Sequence, residues 1–200
     1  MLAESRLKPA GSVVLQQEPA DDDLMRRTAM GEETAFRLLV QRWEGEVRGF
    51  LTYMLGSPES AEDLAQETFV KVYRQAGRYR AEGKFRSWLL RIAGNLARSE
   101  LRRRKIIGWI RFENDRHDRP TGQPAPDQEL QAKELENLLA AAVDRLPRRQ
   151  KEALVLVRFQ GLRYQEAAEV MQTTLAGLES LLQRATRSLR DELSRKAEIS

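Results

Sequence analysis

Two hundred residues is room for one large domain or two small ones, and 41% hydrophobic with 32% charged residues describes a globular chain slightly richer in charge than average. The absence of cysteine and the single histidine, His117, exclude disulfides, Cys- or His-rich zinc centres, thiolate nucleophiles and any histidine triad not built on that residue. A net charge of +4 names no partner by itself, no apolar run reaches the roughly 18–20 residues of a membrane span, and Val13-Val14-Leu15 is too short a core for a signal peptide, so the expectation is a cytoplasmic chain that is not an enzyme and carries no metal or cofactor.

Residues 1–23 mix Pro9, Gly11 and Pro19 with the acidic run Asp21-Asp22-Asp23 and show no period. They read as a flexible extension, and the acidic segment 18–23 is a candidate shield for a basic surface. From there Phe36, Leu39, Val40, Trp43, Val47, Phe50, Leu51 and Met54 recur at steps of three and four, the mark of one buried helix face. Ser57 followed by Pro58 is an N-cap with proline at the first helical position. A second stripe follows in Ala61, Leu64, Ala65, Phe69, Val72, Tyr73 and Ala76. In this helix Glu59 and Glu62 suit the positive end of the helix dipole. Glu67 lies too far in for that, and Asp63, Gln66 and Glu67 share a face suited to a basic protein surface.

Beyond a loop from Gly77 to Gly83, a third stripe runs Phe85, Trp88, Leu89, Ile92, Leu96. Residues 84–111 hold nine basic residues against the single acid Glu100, a local net of +8. Arg91, Asn95, Arg98 and Arg102 stack along one face beside the apolar stripe. Guanidiniums suit phosphates, an Asn pairs with a base edge, and Tyr73, Tyr79, Phe85 and Trp88 are nearby rings on which unpaired bases can stack. A plain solvated surface usually mixes signs, and this one does not. For Trp88, a place in the core competes with stacking.

The stretch 113–128 holds Pro120, Gly122, Pro124 and Pro126 and almost nothing apolar. As a coil its ends sit roughly 20–25 Å apart, reaching about 50 Å when stretched. The expected organisation is thus an extension 1–23, a helical unit 24–112, a linker 113–128 and a second helical unit 129–196, all-α throughout. In the second unit Leu130, Leu135, Leu138, Leu139, Ala142 and Val143 form one helix, Pro147 opens another, and Gly161 ends it. Two further helices, about 163–171 and 175–194, flank Gln172-Thr173-Thr174, with Thr174 placed to cap the second. An ordinary helical hairpin has this plan, and so does a helix-turn-helix, whose second helix would present Ala176, Glu179, Ser180, Gln183, Arg184 and Arg187 to the major groove.

Taken together, AEDLAQETFVKVY, FRSWLLRIAGNLARSELRRRK, the Pro-rich connector, LPRRQKEALVLVRFQGLRYQEAAEVM and AGLESLLQRATRSLR resemble a bacterial RNA polymerase sigma factor. The similarity is to the small extracytoplasmic-function (ECF) class of the sigma-70 family, which keeps only regions 2 and 4. That resemblance implies a transcription initiation factor that binds core polymerase and directs it to −35 and −10 promoter elements. It implies that Asp63, Leu64, Gln66, Glu67 and Phe69 dock on the clamp helices of the β′ subunit, with further contacts to the β subunit. It implies that Trp88, Arg91, Asn95, Arg98, Arg102 and Arg103, with Ile92 and Ala93, open and hold the −10 element, and that the helix from Leu175 reads the −35 element. An anti-sigma factor is the expected regulator. Ser99, Arg163, Glu179 and Leu181 depart from residues frequent in the family. The rival readings are a dimeric helix-turn-helix regulator that never joins the polymerase and a helical adaptor without a nucleic-acid role.

Overall fold

The structure, a computed structural model, describes residues 19–111 and 138–197, and every regular element among them is helical. Helix α1 spans Asp21–Ala29, so the acidic run begins a helix rather than ending a flexible extension. Three carboxylates in its first turn complement the exposed N–H groups there, while Leu24 and Met25 are fully buried. Two apolar residues are too few to show a period, so the sequence alone does not mark this helix. Gly31 (φ 89°) turns the chain, and Arg27 Nη2 meets Glu32 Oε1 at 2.5 Å across that turn.

Helix α2 (Glu33–Leu55) buries Leu39, Val47, Phe50, Leu51 and Met54 and ends at Gly56 in the left-handed region. Helix α3 (Pro58–Gln75) starts as expected: Ser57 Oγ accepts the Ser60 N–H at 3.3 Å, with proline at the first position. Its inward face is Ala61, Ala65, Phe69 and Val72, and the small residues let α2 approach closely. A 3₁₀ turn (Ala76–Arg78) and an irregular loop, 79–84, lead into α4 (Phe85–Arg111).

The second part comprises α5 (138–145), α6 (Arg148–Leu154) widened into a π turn over Val155–Phe159, α7 (Tyr164–Val170) and α8 (Leu175–Ala197). Gly161 (φ 65°) supplies the break after the π turn, and Gln172 (φ 51°) makes the turn before α8. Thr174 Oγ1 accepts the Gly177 N–H at 3.0 Å, the cap expected from the sequence. The linker 113–128, Leu130, Leu135 and residues 1–18 of the extension lie outside the described residues.

The two helical units lie against one another. Helix α4 packs on α2 and α3 and also on α7, and α2 touches the π turn. One hydrophobic cluster runs from Phe50, Leu89 and Ala93 into Leu156, Leu162, Ala167 and Leu178. A smaller one holds Val143, Leu146 and Leu154 against Ala185. The single stripe expected on α4 accounts for one packing partner. Leu90, Ala93 and Ala97 are also buried, so the helix is apolar over a wider arc and serves both units.

Candidate functional site

Three surfaces carry the residues that the sequence singles out. On α3, Asp63, Gln66 and Glu67 are exposed together and Leu64 is half-buried. Glu67 meets Lys71 at 3.6 Å and Glu62 meets Arg48 at 3.6 Å. Asp63 has no ion pair among the described residues. Phe69 departs from the expectation of an outward contact. It is 7% exposed and shares the inward face with Ala61, Ala65 and Val72, at steps of three and four.

On α4, Asn95, Arg102 and Arg103 are exposed, while Trp88, Arg91 and Arg98 are half-buried. The Trp88 ring lies 4.9 Å from that of Tyr79, tilted by 57°. Together they form part of an open cleft of about 450 Å³, walled also by the cations Arg78, Arg80, Lys84 and Arg91 and by two carboxylates, Glu82 and Glu169. Trp88 packs on the core with one side and lines this cleft with the other. Phe85 is buried beneath it, and Tyr73 sets its ring edge-on to Phe36 at 5.0 Å.

The basic face is less bare than its composition. Glu100 accepts from Arg103 Nε and Arg104 Nε, each at 2.9 Å, and these guanidiniums, Arg103 foremost, hold its carboxyl below the usual range. Arg86 meets Glu46 at 2.7 Å and donates to the Gln160 carbonyl, and Lys84 meets Glu169 of α7 at 3.0 Å. Arg91 and Arg102 have no carboxylate partner among the described residues. The acidic run does not shield this face: Asp21 holds Arg42, Asp22 holds Tyr79 and Gly83, and Asp23 holds Arg26.

Arg98 is bound on both sides. Its Nη2 donates to Asn95 Oδ1 at 2.6 Å, and its Nη1 donates to Glu152 Oε1 of α6. Glu152 is 1% exposed, and burial pushes its carboxyl above the usual range against the pull of Arg98 and Arg149. A Cβ on Gly94 would come within 3.2 Å of Glu152 Oε1 and 3.4 Å of Arg98 Nη1, so glycine leaves the pair its room.

On α8, Thr174, Ala176, Glu179, Ser180, Gln183, Arg184 and Arg187 are all exposed, along the helix that Leu178, Leu182 and Ala185 anchor. Arg158 and Arg190 flank them across an open groove of about 520 Å³. Short first helix, tight turn, capped second helix and solvent-facing polar row reproduce a helix-turn-helix.

Comparison with known proteins decides between the readings. The family description Sigma-70 region 2 matches residues 39–106, and Sigma-70, region 4 matches residues 136–189. The ECF RNA polymerase sigma-E factor of Haemophilus influenzae is 30% identical over 186 residues, covering 90% of this chain and 98% of that protein. The chain belongs to the ECF RNA polymerase sigma factors. Other members bear similar likeness. The RNA polymerase sigma-H factor of Pseudomonas aeruginosa is 31% identical (88% of this chain, 94% of that one), and the ECF RNA polymerase sigma factor SigE of Mycolicibacterium smegmatis is 35% identical (89% and 71%). Among solved structures, CnrH in complex with the cytosolic domain of CnrY superposes with a TM-score of 0.64 at 26% identity, covering 88% of this chain and 99% of that one. The sigma factor RpoE of Bartonella quintana, solved with the anti-sigma factor NepR, shares the fold at a TM-score of 0.62 and 21% identity (80% and 96%).

Two departures of this sigma factor from frequent family residues find their physical setting. Arg163 stands at the N-cap of α7, where its side chain cannot accept a hydrogen bond. Glu166 reaches back instead, accepting from the Arg163 backbone N–H at 2.8 Å and its Nη2 at 2.9 Å. Leu181 is half-buried against the core, so the place of a frequent arginine serves packing. Glu152 and Asp22 are the residues at these surfaces that sequence reasoning misses. Both are acids whose partners lie more than fifty residues away, which no local spacing reveals.

Proposed function

We propose that this sigma factor docks on the β′ clamp helices of core RNA polymerase through Asp63, Gln66 and Glu67, with Leu64 at the rim and Phe69 supporting the face from inside, and makes further contacts with the β subunit. Helix α8 reads the −35 element as duplex through Ala176, Glu179, Ser180, Gln183, Arg184 and Arg187, its entry fixed by the Thr174 cap. The cleft over Trp88 holds the opened −10 strand, with Arg91, Asn95, Arg98, Arg102 and Arg103 along its backbone. The carrying observation is that cleft, where Tyr79 and Trp88 offer rings for an unpaired base. Although Glu82 and Glu169 also line it and Glu169 engages Lys84, the cations Arg78, Arg80, Lys84 and Arg91 outnumber them and leave net positive charge for its phosphates. No residue set for bond-making chemistry is needed, since the polymerase performs it. A dimeric helix-turn-helix regulator accounts for α7 and α8 alone and leaves the cleft and the acidic face of α3 without a task.

The arrangement of the units bears on the order of events. Promoter elements about 25 base pairs apart lie about 85 Å apart at 3.4 Å per base pair. Units joined through Arg98–Glu152, Lys84–Glu169 and a shared core make a compact body with a radius of gyration of about 15 Å, too small to reach both elements, so they separate on the promoter. The faces proposed for β′ and for the −35 element stay exposed in the joined form, while Arg98 is occupied. Docking on the polymerase therefore precedes strand capture, and free protein binds DNA weakly. An anti-sigma factor, the kind of partner solved with the Bartonella RpoE, would act by holding the joined form.

Replacing Arg91 and Arg102 with alanine removes two arginines of the proposed −10 set that have no carboxylate partner among the described residues. The holoenzyme then keeps its affinity for core but shows weaker permanganate reactivity at −10 thymines. Reactivity equal to that of wild type contradicts the assignment of this face.

A further inference from the structure

The wall of the cleft that faces Trp88 is made by the loop 79–84, which has no regular backbone pairing of its own. Its shape is held from outside, by Asp22 on the first turn of α1. The Tyr79 hydroxyl donates to Asp22 Oδ1 at 2.6 Å, and the Gly83 N–H donates to Asp22 Oδ2 at 2.7 Å. One carboxylate thus uses both oxygens to grip both ends of the loop, 57 and 61 residues away in sequence. Gly83 adopts φ 68°, a left-handed conformation that glycine takes without strain and that turns its N–H toward the acid. The grip is itself anchored: Leu24 and Met25 seat α1 in the core, and neighbouring Asp21 accepts from Arg42 at 2.6 Å. With its hydroxyl fixed, the Tyr79 ring is set between Phe85, 5.9 Å away, and Trp88, 4.9 Å away.

We propose that Asp22 is a positioning residue for strand capture: by holding Tyr79 and Gly83 it sets the aromatic wall against which an unpaired promoter base is held. This rests on the reading of the Trp88 cleft as the −10 strand site. Asp22 touches no DNA in this scheme and acts through the tyrosine and the glycine. A loop released from it keeps its residues but samples many shapes, and the ordering cost then falls on the bound nucleotide. The charge on Asp22 makes both hydrogen bonds strong, so the effect belongs to this one side chain more than to α1 as a whole.

The test uses holoenzyme reconstituted from core polymerase with wild type, Asp22→Ala, Tyr79→Phe or both changes. The probe is a fork-junction DNA with an unpaired −10 strand, built on a promoter first mapped by transcription with the wild-type protein. Asp22→Ala should weaken fork-junction binding by about tenfold, the loss of charge-assisted hydrogen bonds. Core affinity and the melting temperature of the free protein should change far less. Tyr79→Phe should weaken it in the same direction but less, since Gly83 stays held, and the double variant should match Asp22→Ala because the link that Tyr79→Phe cuts is already lost there. Asp22→Ala binding the fork within twofold of wild type overturns the proposal, and so does an equal loss of core and fork affinity, which marks a general defect. Wild-type holoenzyme that opens the promoter while the Asp22 variant does so equally well defeats the positioning role alone. If changing Trp88 and Arg91 also has no effect on fork binding, the reading of the cleft falls and takes the role of Asp22 with it.

Discussion

A guanidinium can serve a carboxylate or a phosphate but not both at full strength, and that competition decides how the charged residues of this protein behave. Arg98 is spent on Glu152, Arg103 and Arg104 share Glu100, and Arg91 and Arg102 have no carboxylate partner among the described residues. Composition counts all of these as equal; only the three-dimensional partners separate them, because Glu152 comes from a different unit. The same logic gives a sharp titration at Glu32. Hydrogen bonds from Arg27 and Thr34 lower its carboxyl to about 2 from an ordinary 4.5. A lowered carboxylate stabilises the turn between α1 and α2 fully above the ordinary value and loses that contribution as pH falls through the lowered one. Carbon-13 NMR of the side chain should therefore find Glu32 still ionised at about pH 3.5, between the two values, and Arg27→Ala should return its midpoint toward 4.5. A wild-type midpoint near 4.5 contradicts the pairing.

Among the helices, those with a sustained three-and-four period are readable from sequence, with their caps. Ser57-Pro58, Gly161 and Thr174 each stand where local chemistry demands them. Helix α1 is not readable, because Leu24 and Met25 alone make no period and its three aspartates resemble a solvated tail. Nor is the π turn at Val155–Phe159, whose extra residue per turn leaves no mark on an apolar stretch. Of the candidate site, the exposed rows on α3 and α8 follow from spacing; the inward turn of Phe69 follows from that same spacing once the core face is known. Thr174 offers the direct check on this level. Thr174→Ala removes the acceptor for the Gly177 N–H and should cost about 1 kcal/mol in denaturant unfolding, with Thr174→Ser restoring most of it. An unchanged midpoint would mean that the cap contributes nothing to the start of the recognition helix.

Taken whole, the described molecule is two helical units sharing one hydrophobic cluster, with half-buried Arg98 paired to buried Glu152 at their join. A buried pair is a poor source of stability but a good registry device, since either partner left alone is costly. The absence of cysteine makes the joined form easy to follow: dyes on Glu59→Cys and Ser194→Cys report the distance between the units by energy transfer. High transfer is expected in the free protein, lower transfer on addition of core polymerase and promoter DNA, and a reduced high-transfer population in Glu152→Ala. Equal transfer in all states contradicts the separation of the units. The local net of +8 between Lys84 and Arg111 then has a plain meaning. Part of it is spent on ion pairs within the molecule, and part is left for the proposed strand capture.

Transcription in vitro with core polymerase, this protein and genomic DNA of the source organism tests promoter-directed initiation at every promoter at once. Sequencing of the RNA 5′ ends should give a small set of discrete start sites that share upstream −35 and −10 elements and vanish when the protein is omitted. Start sites identical with and without the protein would contradict it.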